Sequence, residues 1–249
     1  MKVRSLMLAA AAALSAWAAG PAEPALAQSS PVSLSIEAGF LSRDIAVQEE
    51  GPAPGTLIDE STEADSGRVL LTLAVTPVPP VTLYAIGGGA TLDLDEFGYH
   101  GRMDGIYGGG LTVTLYDSSP SAPRASGFRF FLDGRYLRFV TDDQVIALVG
   151  GVPTTVNEEI AWNEARARFG VEGRYFGAKP YGGLELSRVW GDDRFGAPVG
   201  DTFDVEEEDP IGLFAGISLP LDAQGRIAFF AEFNIIDENA IRAGLTFSL

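Results

Sequence analysis

Cysteine is absent from the 249 residues, histidine occurs once, and 17 Lys and Arg stand against 34 Asp and Glu. Without cysteine there is no disulfide framework, no thiolate metal site, no thiol catalysis and no acylated lipoprotein cysteine. One histidine and a formal net charge of -17 argue against a histidine-rich metal site and against a nucleic-acid surface. No cofactor is expected. A further absence concerns long apolar runs: beyond the first residues, none is long enough for a helical membrane span, so any membrane passage must be made by strands.

The first residues are a separate matter. Lys2 and Arg4, an apolar run from about Leu6 to Ala19, and the small-residue site Ala25-Leu26-Ala27 form the three-part pattern of a secretory signal peptide over 1–27. Pro21 and Pro24 break the run before it reaches spanning length. Residues 28–249 then constitute the mature domain.

That domain reads as strands almost throughout. Segments near 32–46, 68–77, 80–93, 105–117, 127–140, 161–176, 180–191, 210–220, 226–236 and 240–249 alternate with period two and end at Gly, Pro, Asp or Asn. In the clearest, Ala165, Ala167, Phe169, Val171, Gly173 and Tyr175 share one face, while Glu164, Arg166, Arg168, Glu172 and Arg174 share the other. Long connections (47–67, 94–104, 141–160, 191–210) alternate with short ones; the stretch 118–126 is intermediate, and the turn near Asp237-Glu238-Asn239 is short and breaks the pattern.

Such a pattern predicts an all-β fold: an antiparallel transmembrane β-barrel of about ten strands, eight and twelve being the nearest alternatives. Long outer loops and short periplasmic turns go with it. A soluble sandwich or lipocalin-like barrel gives the same alternation. Two features favour the membrane. Many of the faces opposite the apolar ones carry mostly Gly, Ser, Thr and Ala, which suit a narrow lumen, and the last strand alternates to Leu249 with no polar tail.

The ending Arg242-x-Gly244-x-x-Phe247-x-Leu249 resembles the C-terminal assembly signal of bacterial outer-membrane barrels, with Leu249 where Phe is commonest. Pro80-Val81-Thr82-Leu83-Tyr84 and Pro180-Tyr181-Gly182-Gly183 look like strands of small opacity-protein-like and OmpA-type barrels. The resemblance implies outer-membrane location after signal-dependent secretion. It also implies recognition of Gly244, Phe247 and Leu249 by the barrel-assembly machinery. No activity comes with it.

Facing the lipid with each apolar side puts Glu37, Arg129, Asp133, Arg135, Glu164, Arg166, Arg168, Glu172, Arg174, Glu185, Glu232 and Arg242 inside. Acids and bases are nearly balanced there, which points to cross-strand ion pairs, since lone charges in a narrow lumen are costly. Bulky Phe131, Leu137, Trp162 and Phe176 share that interior. Arg138 and Arg188 fall instead on the lipid side, beside Tyr136 and Trp190, as in an interfacial girdle facing lipopolysaccharide phosphates.

The excess acid gathers between strands. Glu49, Glu50, Asp59, Glu60, Glu63 and Asp65 form one cluster, and Asp192, Asp193, Asp201, Asp204, Glu206, Glu207, Glu208 and Asp209 another. Neither has EF-hand spacing, though both are candidate sites for divalent cations. His100, with Asp93 and Asp95 upstream, lacks the second carboxylate pair of barrel proteases and the His-x-Ser of barrel deacylases, so no enzyme is expected. A structural or surface-interaction barrel, with its lumen filled by ion pairs, is the first functional expectation. A narrow cation-preferring, porin-like channel is the second, and an outer-membrane hydrolase a distant third.

Overall fold

The computed structural model describes residues 31–50, 57–94, 98–118, 126–149, 151–175, 177–199, 202–207 and 210–249. The leader assigned to 1–27 lies outside them, as do Phe176, Asp201, Glu208 and Asp209. The described chain is all antiparallel strand: β1 (Val32–Glu50), β2 (Leu57–Val78), β3 (Val81–Leu94), β4 (Tyr99–Asp117), β5 (Gly127–Val149), β6 (Val152–Arg174), β7 (Lys179–Phe195), β8 (Thr202–Glu207), β9 (Ile211–Pro220), β10 (Ile227–Ile235) and β11 (Asn239–Ser248).

Ten of these strands close into a barrel. β11 pairs with β1 from Ser33↔Ser248 to Ser42↔Asn239, so no strand edge is left open at the seam. β9, β10 and β11 are 10, 9 and 10 residues long, which matches the ~9–11 residues a tilted strand uses to cross hydrocarbon. β2, β5 and β6, at 22, 23 and 23 residues, run well beyond that height.

Over the shared height the outer surface is apolar. Ile36, Phe40, Val69, Leu71, Leu73, Leu83, Leu111, Leu132, Phe169, Leu184, Leu213, Phe233 and Ile241 all stand exposed. In a soluble protein so continuous an apolar surface would drive association; around a closed barrel it is a lipid-facing band. The turn between β9 and β10, at the end of the barrel that holds the C-terminus, is short, and there the Asp222 carboxylate accepts the Ile227 N–H at 2.9 Å.

Above the band the polarity reverses. Asp44, Glu63, His100, Gln144, Asn157, Glu159 and Arg194 now face outward, whereas Ile45, Ala64, Leu92, Leu94, Tyr99, Phe139, Val156, Ile160 and Val205 are buried inside. The strand count also changes. β8 pairs with β7 (Trp190↔Glu206 to Arg194↔Thr202) and with β1 (Ile45↔Glu207 to Gln48↔Asp204), passing over the short β10–β11 hairpin. Ten strands in the membrane thus become eight in a rim that encloses its own apolar core.

This rim occupies the stretches expected as long loops. The connection 141–160 is a strand hairpin that turns at Gly151, whose φ is 85°. Period two persists through the described parts of these segments, but apolar residues such as Ala64, Val156 and Ile160 sit on the inner face and charges such as Glu63, Glu159 and Arg194 on the outer, the reverse of the lipid-facing pattern. Strand 210–220 is correspondingly continued upward by β8 as a separate segment.

Candidate functional site in the lumen

Three kinds of packing fill the barrel interior. The first sets an aromatic against a glycine directly opposite on the next strand: Tyr84 with Gly110, Phe131 with Gly170, Tyr181 with Gly216, and Phe230 with Gly244. A Cβ on Gly170 would lie 2.4 Å from the Phe131 ring, one on Gly216 2.5 Å from the Tyr181 ring, and one on Gly244 2.8 Å from the Phe230 ring. Each ring lies across the space a side chain would take, covering bare backbone. The Tyr84 hydroxyl also donates to Asp133 at 3.0 Å, and Thr112 donates to the same carboxylate at 2.6 Å.

The second is a connected lattice of opposite charges. Arg166 is its hub, reaching Glu164 at 2.5 Å, Glu185 at 2.9 Å and Glu238 at 2.5 Å. From Glu185 the chain continues through Arg168, Glu232 and Arg242 to Glu37. Glu164 also takes Arg68 at 2.8 Å and Arg135 at 3.4 Å, and Glu238 takes Arg43, which reaches Glu207 at 2.7 Å. Arg68 on β2 and Glu164 on β6 stand four strands apart, so this bond spans the lumen. Six arginines meet six glutamates, giving a neutral network. Nearer the termini, Arg129 pairs with Glu172 at 2.8 Å and Arg174 with Asp117 at 2.6 Å.

The third is the apolar core of the rim, where Phe139 and Trp162 stack at 5.9 Å between ring centroids and Arg68 lies over the Phe139 ring at 5.5 Å. It sits directly above the lattice as a cap. Phe131, Leu137 and Trp162 all point inward, at successive heights.

All twelve charges placed inside from the sequence occupy inward positions. Eleven belong to ion pairs, and Asp133 is held by Tyr84 and Thr112 instead. Four members of the lattice are missed by sequence reasoning. Arg43 and Arg68 carry a readable signal, because each continues the inward alternation of its strand (Glu37, Gly39, Leu41; Leu70, Thr72). Glu207 and Glu238 carry none, since they sit where the pattern predicts loop and turn. The β10–β11 turn brings Glu238 inward to meet Arg43, Arg166 and Asn234.

Two of the acids assigned to outer loops also turn inward. Glu207 joins the lattice and accepts the Ser187 hydroxyl at 2.5 Å, while Asp193 is buried beside Glu158. Burial, with Asp193 and Asp143 nearby, pushes the Glu158 carboxyl up to about 8, and burial raises Asp193 to about 6. Of the others, Glu63 accepts the Ser42 hydroxyl and Glu206 faces Arg188. Among the described residues no three carboxylate or imidazole groups converge as a metal site.

On the outer surface, Tyr136 and Trp190 lie 6.1 Å apart at the upper edge of the apolar band. Asn163, which no sequence pattern singles out, ties them together. It accepts from the Tyr136 hydroxyl at 2.7 Å and from Arg138 at 3.3 Å, and it donates to the Trp190 carbonyl at 3.2 Å. Arg188 stands exposed, 3.7 Å from Glu206. His100 is also on the outer wall, its ring 3.2 Å from Asp93 and its backbone N–H donating to Asp143 at 2.8 Å. β11 carries Gly244 inward beneath Phe230, with Phe247 and Leu249 on the lipid side.

Closure of the antiparallel barrel, the lipid-facing apolar band and the charged interior together decide the fold. It is that of an outer-membrane β-barrel. No family model matches the sequence, and no curated protein matches it. Solved structures similar to it in fold include the outer membrane protease OmpT from Escherichia coli (11% identity, TM-score 0.49, covering 88% of this chain and 96% of that one). Others are the transport unit of the autotransporter AIDA-I from Escherichia coli (12%, 0.41, 89% and 91%) and Ail, the attachment invasion locus protein of Yersinia pestis (11%, 0.31, 86% and 96%).

Proposed function

We propose that this chain is a sealed barrel of the bacterial outer membrane, secreted through its leader, whose role is structural or surface-interacting rather than catalytic or conductive. The observation that carries the reading is the neutral lattice that bridges opposite walls beneath an apolar cap. A conducting pore needs a water-filled path, and here Arg166, Glu164 and Glu185 occupy the middle of the lumen and are bonded to one another. Unzipping such pairs for each passing ion would expose buried charges at several kcal/mol apiece, roughly.

The working surface is then the outside of the rim and its junction with lipid. Tyr136, Trp190, Arg138 and Arg188 form the outer-leaflet girdle, where guanidinium groups meet lipopolysaccharide phosphates. β11, with Gly244, Phe247 and Leu249, is the strand offered to the barrel-assembly machinery. His100 is solvent-exposed on the outer wall, and among the described residues its hydrogen-bond partners are the carboxylates Asp93 and Asp143.

Reconstitution into liposomes with and without lipopolysaccharide tests both halves. The expected result is no release of a trapped ion-sensitive dye, together with a lipopolysaccharide-dependent rise in thermal stability that Arg138→Ala/Arg188→Ala abolishes. Dye release by the folded protein would refute the sealed lumen, and an unchanged lipopolysaccharide effect in the double variant would refute the girdle.

A further inference from the structure

The lattice is neutral as a whole but not everywhere. Arg135 on β5 stands directly opposite Arg166 on β6, a like-charge cross-strand pair on the inner face. Arg166 is fully engaged by Glu164, Glu185 and Glu238. Glu164 is shared among Arg166, Arg68 and Arg135, and the contact that falls to Arg135 is the longest, 3.4 Å against 2.5 and 2.8 Å. Arg68 has the same shortage in another form. Its side chain is 7% exposed, and its Nη2 has no hydrogen-bond acceptor among the described residues.

Both of these guanidinium groups line one cavity. Its charged wall consists of Arg68, Arg135, Arg166 and Arg242 against Glu37 and Glu238, and Glu37 is committed to Arg242 only at 4.0 Å. The cavity measures about 30 Å³, above the ~10–15 Å³ that one water requires and far too small for a sugar or a phosphate ester.

We propose that this cavity binds one monovalent anion of halide size, chloride under ordinary conditions, held chiefly by Arg68 and Arg135. Water would offer those donors an acceptor but leave the excess positive charge in place. An anion supplies acceptor and charge together, and beside guanidinium groups only 7% and 11% exposed the charge is worth more than the hydrogen bond. The anion would complete the interior as a thirteenth member of the lattice. The site stands independently of whether the lumen conducts, because it follows from the local pairing of arginines.

The test is thermal unfolding of the detergent-folded full-length mature protein in sodium chloride and in sodium gluconate at equal ionic strength. Crystals soaked in bromide and read by anomalous scattering accompany it. The expected result is a saturable upward shift in melting temperature with chloride, absent with gluconate and lost in Arg135→Gln, with a bromide peak between Arg68 and Arg135. Coincident chloride and gluconate curves, a chloride effect that persists in Arg135→Gln, or bromide found only on the outer surface would each overturn the proposal. If Arg135→Gln does not fold, the wild-type titration and the bromide position decide.

Discussion

Glycine and arginine set the interior at the scale of single residues. The barrel's glycines are not interchangeable: a Cβ on inward Gly244 would lie 2.2 Å from the Ile36 carbonyl oxygen, whereas around Gly134, on the lipid side with Leu132 and Tyr136, nothing lies within 4 Å. Gly244→Val is therefore expected to abolish the heat-modifiable folded band on a gel, and Gly134→Ala to leave it intact; the same outcome for both would contradict the ring-over-glycine packing. Glu164 answers to three arginines, so Glu164→Gln leaves buried positive charge without a partner. A loss of about 3–5 kcal/mol in denaturant unfolding is expected. Most of this interior is legible in the amino-acid sequence, because alternation assigns each residue of a strand to a face. What alternation cannot tell is which charge meets which across the lumen, nor that the turn at Asp237 and Glu238 folds inward.

Elements are where composition misleads. The segments near 47–67 and 141–160 carry as much charge as a solvated loop, and loop is how composition presents them. Their described residues are strands because Ala64, Val156 and Ile160, like Ile45 just before them, bury themselves on the inside of the rim while Glu63, Asn157 and Glu159 face water. One consequence belongs to this element alone. Glu158 and Asp193 are buried in the rim with raised proton affinities, about 8 and about 6. Between the ordinary carboxylate range near ~4.3 and about pH 8 the folded rim holds more protons than the unfolded chain, so its stability falls as pH rises through that window. Amide hydrogen exchange in β6 and β7, corrected for intrinsic rates, should show weaker protection at pH 9 than at pH 5. Glu158→Gln should remove most of the difference; equal protection at both pH values in the wild type would count against the buried pair.

At the scale of the whole molecule, two barrels are stacked on one set of strands. The lower turns its apolar residues to lipid and its charges inward. The upper does the opposite, and β8 makes the change from ten strands to eight. Sequence periodicity shows the lower barrel and the membrane, since lipid imposes one polarity on every strand at the same height. It conceals the upper barrel, because a reversed polarity with the same period looks like the end of the pattern. Among the described residues, Asp44, Glu63, Glu159 and Glu206 put negative charge on the outside of the rim, where it is solvated, and the paired interior is left to close the lumen.

That closure is the central claim, and single-channel recording in a planar bilayer tests it most directly. Protein whose folding is verified by its heat-modifiable band should insert and remain silent in potassium chloride across the ordinary voltage range. Discrete, reproducible conductance steps from the same folded protein would contradict the account, for they would require an open path through Arg166, Glu164 and Glu185.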